Sequence, residues 1–351
     1  MRLQRAFLLF GCVFLCFDGV FAQGGSTVFG AGYSLPLPVN AAPGQILNLF
    51  VAGVGAGLTG RVTATSLPLP YMIAGISVNL VQTVSPQTVP VPLLAVRPVS
   101  TCGSESPFGS ANCGQYTIVT VQVPYELVPP CQSGGPQACP SSAPANSAQL
   151  VVSESGVSPV DKQLPTAVAL NPLTDQIHVA TSCDLDSAAS LIGCVSTPLV
   201  THADGTLVTA AKPANIGEEI VIYALGLGGT NPAAQTGQAA PLPAATVQYL
   251  AGVEYNYSIN APPSEGIPAP LASCALGVTC PVPPAFAGLT SGMTGLYQVN
   301  VVVPPSTGVF PCGAGVISNL TITLVGATSY DGAGICVAPS SAGGPSSVRI
   351  P

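Results

Sequence analysis

The residues best suited to chemistry are few and scattered. Two histidines, His178 and His202, are the only imidazoles in 351 residues. Acid–base or nucleophilic catalysis would need a histidine beside a serine or cysteine and oriented by an acid. Serines abound, but none stands in a G-x-S-x-G elbow. His178 lies in an alternating run and His202 precedes Asp204-Gly205, a hairpin-turn pair, so both are expected at solvent-exposed strand or turn positions. Paired carboxylates suit glycoside chemistry. Glu218 and Glu219, however, are neighbours at a strand start and point to opposite faces. Asp184 and Asp186 share a loop and could give a Ca²⁺ ion two of the six or more oxygens it takes; loop-solvated acids are the plainer reading. Gly226-Leu227-Gly228-Gly229 looks like a phosphate loop, but Thr230-Asn231-Pro232 follows where a helix is needed, so a turn is expected. Tyr255 and Tyr257 fall on one strand face, placed to stack on a sugar ring or simply to pack. Asn256-Tyr257-Ser258 and Asn319-Leu320-Thr321 fit the glycosylation sequon. This inventory predicts no catalytic residue, no cofactor and no metal site.

The elements that would hold these groups are strands. Ile220, Ile222 and Ala224 alternate with Val221 and Tyr223, and Leu320, Ile322 and Leu324 alternate with Asn319, Thr321 and Thr323. Period two bounded by glycine and proline marks antiparallel sheet with one buried face. Gly and Pro account for 39 and 37 residues, which leaves almost no run able to form a helix. Many short strands without helices between them make a sandwich or barrel.

Composition narrows the setting. Arg2 and Arg5, the apolar run Ala6 to Phe17 and the small residue Ala22 read as a secretory signal peptide over 1–22, cleaved after Ala22. Its loss leaves five basic against thirteen acidic residues, a net charge of −8. No basic stripe can neutralise phosphates, so nucleic acid and anionic membrane are poor partners. No later segment is apolar over the ~20 residues a bilayer needs, so no membrane insertion is expected. Only 6% of residues are charged while 48% are hydrophobic, the balance of a chain that folds. The ten cysteines after the signal read as a disulfide framework in an exported protein. They allow roughly 900 connectivities. Neighbour pairing gives Cys102–Cys113, Cys131–Cys139, Cys183–Cys194, Cys274–Cys280 and Cys312–Cys336. Zinc would want C-x₂-C spacings, which are absent.

The chain also repeats itself. Pro43-Gly44-Gln45-Ile46-Leu47-Asn48-Leu49-Phe50 with Gly53-x-Gly55 aligns with Ile216-Gly217-Glu218-Glu219-Ile220-Val221-Ile222-Tyr223 with Gly226-x-Gly228. Val119, Val121 and Val123 align with Val299, Val301 and Val303, but Tyr116 then stands one residue out of step with Tyr297. The offset predicts a β-bulge near Ile118.

These residues carry a family resemblance. Asp204-Gly205-Thr206-Leu207-Val208, Pro213-Ala214-Asn215-Ile216-Gly217-Glu218, Gly226-Leu227-Gly228-Gly229-Thr230-Asn231-Pro232, Gly237, Ala240-Pro241, Ala287-Gly288-Leu289 and Gly295 through Pro304 resemble the uncharacterised C-terminal domain family of secreted Solibacter (acidobacterial) proteins. Ala42-Pro43-Gly44 and Val121 through Glu126 resemble that family's upstream portion, with Ile118-Val119-Thr120 in place of its usual Gln-Ile-Asn. The likeness spans roughly 27 to 340 and is looser in the first half. It implies two tandem immunoglobulin-like β-sandwich domains outside the cytoplasm and no assigned activity.

The expectation is therefore an all-β chain: a signal peptide over 1–22, a first β-sandwich over 23–197, a second over 198–340 and a flexible tail over 341–351. The setting is the bacterial cell exterior or periplasm. The function expected is that of a non-catalytic adhesion, matrix or surface-assembly module, binding an extracellular protein or glycan or associating with itself. A carbohydrate-binding module using Tyr255 and Tyr257 and an extracellular hydrolase are the alternatives.

Overall fold

The structure is a computed structural model that describes residues 29–30, 38–100, 115–129, 147–155, 166–185, 197–255, 282–304, 319–324 and 329–338. The fold is all-β. In chain order the strands are β1 (Phe29–Gly30), β2 (Val39–Ala41), β3 (Ile46–Ala52), β4 (Val62–Thr63), β5 (Met72–Ile73), β6 (Ile76–Gln82), β7 (Ser85–Val91), β8 (Leu93–Ser100), β9 (Gln115–Gln122), β10 (Ala148–Glu154) and β11 (Thr166–Pro172). There follow β12 (His178–Val179), the short helix α1 (Ser182–Leu185), β13 (Val200–His202), β14 (Glu219–Leu225), β15 (Thr230–Asn231), β16 (Thr246–Val247), β17 (Ala251–Tyr255), β18 (Phe286–Leu289), β19 (Tyr297–Val302), β20 (Leu320–Leu324) and β21 (Asp331–Ala333).

Two hydrophobic clusters organise these strands. Sheet β1-β3-β9-β8-β4 and the sheet β2-β11-β10-β6-β5, with β7 on β6, enclose the first, which includes Leu47, Leu49, Val121, Ile76, Leu80 and Leu150. A sheet of β12 or β13 followed by β14-β19-β18-β16-β15, and the smaller β17-β20-β21, enclose the second, which includes Ile220, Ile222, Val299, Tyr297, Ile322 and Leu324. Full burial of each such aliphatic side chain contributes about 1.5–3 kcal/mol. The change of cluster falls between Leu170 and Ile177, earlier than the expected boundary at 197. The reason is pairing: β12 already lies on β14, with His178 opposite Leu225.

Alternation behaves as expected in β14, where Ile220, Ile222 and Ala224 are fully buried. It fails in β17 and β20, buried on both faces, with Glu254, Thr321 and Thr323 all buried. Glu254 stands directly opposite Thr321, so polar side chains meet each other on that covered face.

The repeat survives in the register. Leu47 pairs with Val121 and Leu49 with Val119; their aligned counterparts pair as Ile220 with Val301 and Ile222 with Val299. The predicted bulge near Ile118 is absent, since β3 and β9 pair without interruption from Ile46–Gln122 to Ala52–Tyr116. The irregularity sits on β8 instead, between Leu93 and Ala95. Tyr297 corresponds by register to Thr117, not Tyr116. Thr117 Oγ1 donates to Val54 O at 2.7 Å and the Tyr297 hydroxyl donates to Gly228 O, so each closes the glycine turn above its strand. Tyr116 turns to the opposite face, beside Phe50 and Ile118.

Hydrogen bonds link the loops around the two clusters. Gly237 N donates to Gln122 Oε1 at 2.7 Å, Leu69 N to Gly237 O at 2.8 Å, and Tyr125 N to Thr236 Oγ1 at 2.9 Å. Of the expected disulfide cysteines, Cys183 lies on α1 and Cys336 is buried in the second cluster. Cys102, Cys113, Cys131, Cys139, Cys194, Cys274, Cys280 and Cys312 lie outside the described residues.

Candidate functional site

The polar groups of the second cluster gather where its first strand meets its last. His178, expected at an exposed position, is 4% exposed. Its Nδ1 lies 3.1 Å from Asp331 Oδ2 and its Nε2 lies 2.9 Å from Asp184 Oδ2. Burial disfavours the charged ring, but the hydrogen bonds and charges of Asp184 and Asp331 outweigh it and raise the pKa from 6.5 to about 9. That shift keeps the ring protonated at neutral pH, so that both nitrogens donate to the flanking carboxylates. The protonated ring has no lone pair left to accept a proton from a nucleophile.

Each carboxylate is further tied to backbone. Asp331 Oδ2 accepts Val179 N at 2.8 Å and Oδ1 accepts Gly332 N at 2.8 Å. Asp184 Oδ2 accepts both the amide and the hydroxyl of Thr181 at 2.7 Å. Burial alone would raise the pKa of Asp184; His178 and Thr181 reverse that and hold it low. Asp175 Oδ2 takes the amide and hydroxyl of Ser329 at 2.9 and 2.8 Å, and Ser329 Oγ accepts Ile177 N at 2.7 Å. Ser329 thus bonds an acid and an amide rather than a histidine.

The second histidine repeats the theme at the opposite end of β14. His202, also 4% exposed, pairs Nδ1 with Glu218 Oε1 and donates Nε2 to Lys212 O at 3.1 Å. Glu218 Oε2 accepts Asn215 N at 2.9 Å. Burial works against the Glu218 carboxylate, but Asn215 and His202 outweigh it and lower its pKa. Glu219 points away, where Asn300 Nδ2 donates to it at 3.2 Å. The two acids therefore occupy opposite faces, as their adjacency requires. The Asp204-Gly205 turn also forms: Gly205 has φ +80° and His202 N donates to Thr206 O at 2.8 Å.

The remaining candidates fare unequally. Tyr255 is 7% exposed inside the second cluster, so its ring packs in the core and offers no face to a sugar. Burial pushes its hydroxyl above the ordinary phenol range. Tyr257, Asn256 and Asp186 lie outside the described residues. Asn319, of the second sequon, is fully buried; its Nδ2 donates to Ile335 O at 2.8 Å and its Oδ1 accepts Ile335 N at 2.9 Å. Gly226 and Gly228 make a turn pressed against the segment joining the clusters, where an added Cβ would stand 2.0 Å from Gln176 O and from Thr174 O. Among the described residues no group of three or more His, Cys, Asp or Glu could hold a metal ion, and no helix is long and apolar enough to cross a membrane.

Asp331 and the Asp175–Ser329 pair escape a sequence reading, because their partners stand more than 150 positions away. The likeness of Gln45 to Glu218 was visible in the repeat. Fold and site together define an all-β protein whose buried ionisable pairs clasp strand to strand. No family model, curated protein or solved structure matches the chain.

Proposed function

We propose that this chain is a secreted, non-catalytic adhesion, matrix or surface-assembly module made of two tandem immunoglobulin-like β-sandwich domains, as its resemblance to the Solibacter family implies. The carrying observation is the use made of the histidines: each is buried, with both ring nitrogens engaged by structural partners. Rings held on both sides in this way tie strand to strand, which favours a structural role over proton transfer to a substrate. The low charge of the chain supports contact as the mode of action, since it weakens the repulsion that keeps protein surfaces apart. On this reading residues 1–22 direct export and the cysteines pair as sequence neighbours outside the cytoplasm.

The test is retention of the purified mature protein by envelope fractions of the producing cell, run beside a glycan array and a panel of ester and glycoside substrates. Saturable retention is expected. Turnover of any substrate, with no retention, would promote the hydrolase reading.

A further inference from the structure

The two copies of the repeat cover one edge differently. In the second copy the outer edge of β14 carries antiparallel strands: β12 sets Val179 opposite Ala224, and β13 sets Val200 opposite Ile222 and His202 opposite Ile220. In the first, among the described residues, the equivalent edge of β3 meets only β1. That strand is two residues long and parallel, with Phe29 opposite Asn48 and Gly30 opposite Leu49.

A side chain records the difference. Gln45 holds the repeat position of Glu218 and makes the same local bond: Gln45 Oε1 accepts Ala42 N at 2.9 Å, as Glu218 Oε2 accepts Asn215 N at 2.9 Å. The other oxygen of Glu218 is met by His202, delivered by β13. The other arm of Gln45, Nε2, is buried without a hydrogen-bond partner, and the residue is 0% exposed. A buried donor without an acceptor is costly, so native structures seldom leave one.

We infer that the outer edge of β3 is a strand-acceptor site for an extended segment of a partner protein. The segment runs antiparallel to Ile46–Ala52, displaces β1, and presents an acidic side chain to Gln45 Nε2 from the position facing Leu47. Main-chain hydrogen bonds supply affinity in this mode, and alternate side chains supply specificity. The template is β13, with one reversal: Glu218 accepts and takes a histidine, whereas Gln45 Nε2 donates and takes a carboxylate. This names the docking surface of the assembly module proposed above and rests on that reading.

The probes are two synthetic peptides copying residues 197–204, one unchanged and one carrying His202→Asp, titrated by fluorescence anisotropy against the full mature protein at pH 6. The aspartate peptide is expected to bind about tenfold tighter than the histidine peptide, a difference of about 1.4 kcal/mol. Gln45→Glu, checked for an unchanged melting temperature, should reverse that order; Gln45→Leu should abolish it. Hydrogen exchange should slow along 46–52 only when peptide is bound. Absence of binding, equal binding unaffected by Gln45→Glu, or dimerisation of the peptide-free protein through this edge would each overturn the inference. Because envelope retention is measured without peptide, failure here with retention intact removes only this surface, and loss of retention removes the assembly reading itself.

Discussion

His178 and Asp331 stand 153 positions apart in the chain and meet at 3.1 Å, joining the first strand of the second cluster to its last. Asp184 closes the other side of the ring at 2.9 Å. A buried ion pair is costly to assemble in a low-dielectric interior, but losing one partner costs more, because the remaining charge is stranded.

His178→Ala should therefore destabilise the protein by about 3–5 kcal/mol. Asp331→Asn alone should also destabilise it, and the double variant should lose less than the sum of the two. Urea unfolding of all four proteins measures the coupling; strict additivity would mean that the clasp carries no energy.

The clasp has a pH signature. The pKa of His178 is raised from 6.5 to about 9 in the folded state, so its stabilising contribution is full below pH 6.5 and is lost as pH rises through about 9. The depressed pKa of Asp184 acts at the other extreme, its contribution disappearing as acid protonates the carboxylate. The stability difference between wild type and His178→Gln should shrink steadily from pH 6.5 to pH 9.5 in denaturant titrations.

Two aligned glycines should respond unequally to alanine. Gly53 and Gly226 both have positive φ, at +76° and +71°. An added Cβ at Gly53 meets nothing within 4 Å, so Gly53→Ala should cost only the left-handed strain, about 1–2 kcal/mol. At Gly226 the same carbon stands 2.0 Å from Gln176 O, a backbone atom that cannot rotate away. Gly226→Ala should lower the melting temperature much further, and equal losses would refute the assignment of that contact.

Asn319 should stay unmodified in a host that glycosylates sequons, since both ends of its amide bond to Ile335. Peptide mass spectrometry after expression in such a host reads this directly. Asn319→Ala should cost about 1–3 kcal/mol by orphaning the two backbone groups.

Non-reducing peptide mapping of the mature protein should return the five neighbour pairs, Cys102–Cys113, Cys131–Cys139, Cys183–Cys194, Cys274–Cys280 and Cys312–Cys336. A bridge between the cysteines before residue 140 and those after residue 180 would break the scheme.

Local patterns in the chain were enough for whatever depends on neighbours in sequence. Alternation at Ile220, Ile222 and Ala224 marks a strand because its side chains fall on alternate faces, and Asp204-Gly205 marks a turn because glycine tolerates positive φ. The repeat foretold that Leu47 and Ile220 would have matching partners. Long-range contact decided the rest. Whether Tyr116 or Thr117 takes the place of Tyr297 depends on strand register, and β3 and β9 settle it by pairing without a bulge. The histidines look exposed in a strand and a turn, yet both are buried, where Asp331 and Glu218 bond them. A carboxylate's pull on an imidazole depends on distance through space, and no spacing along the chain encodes a partner 153 positions away.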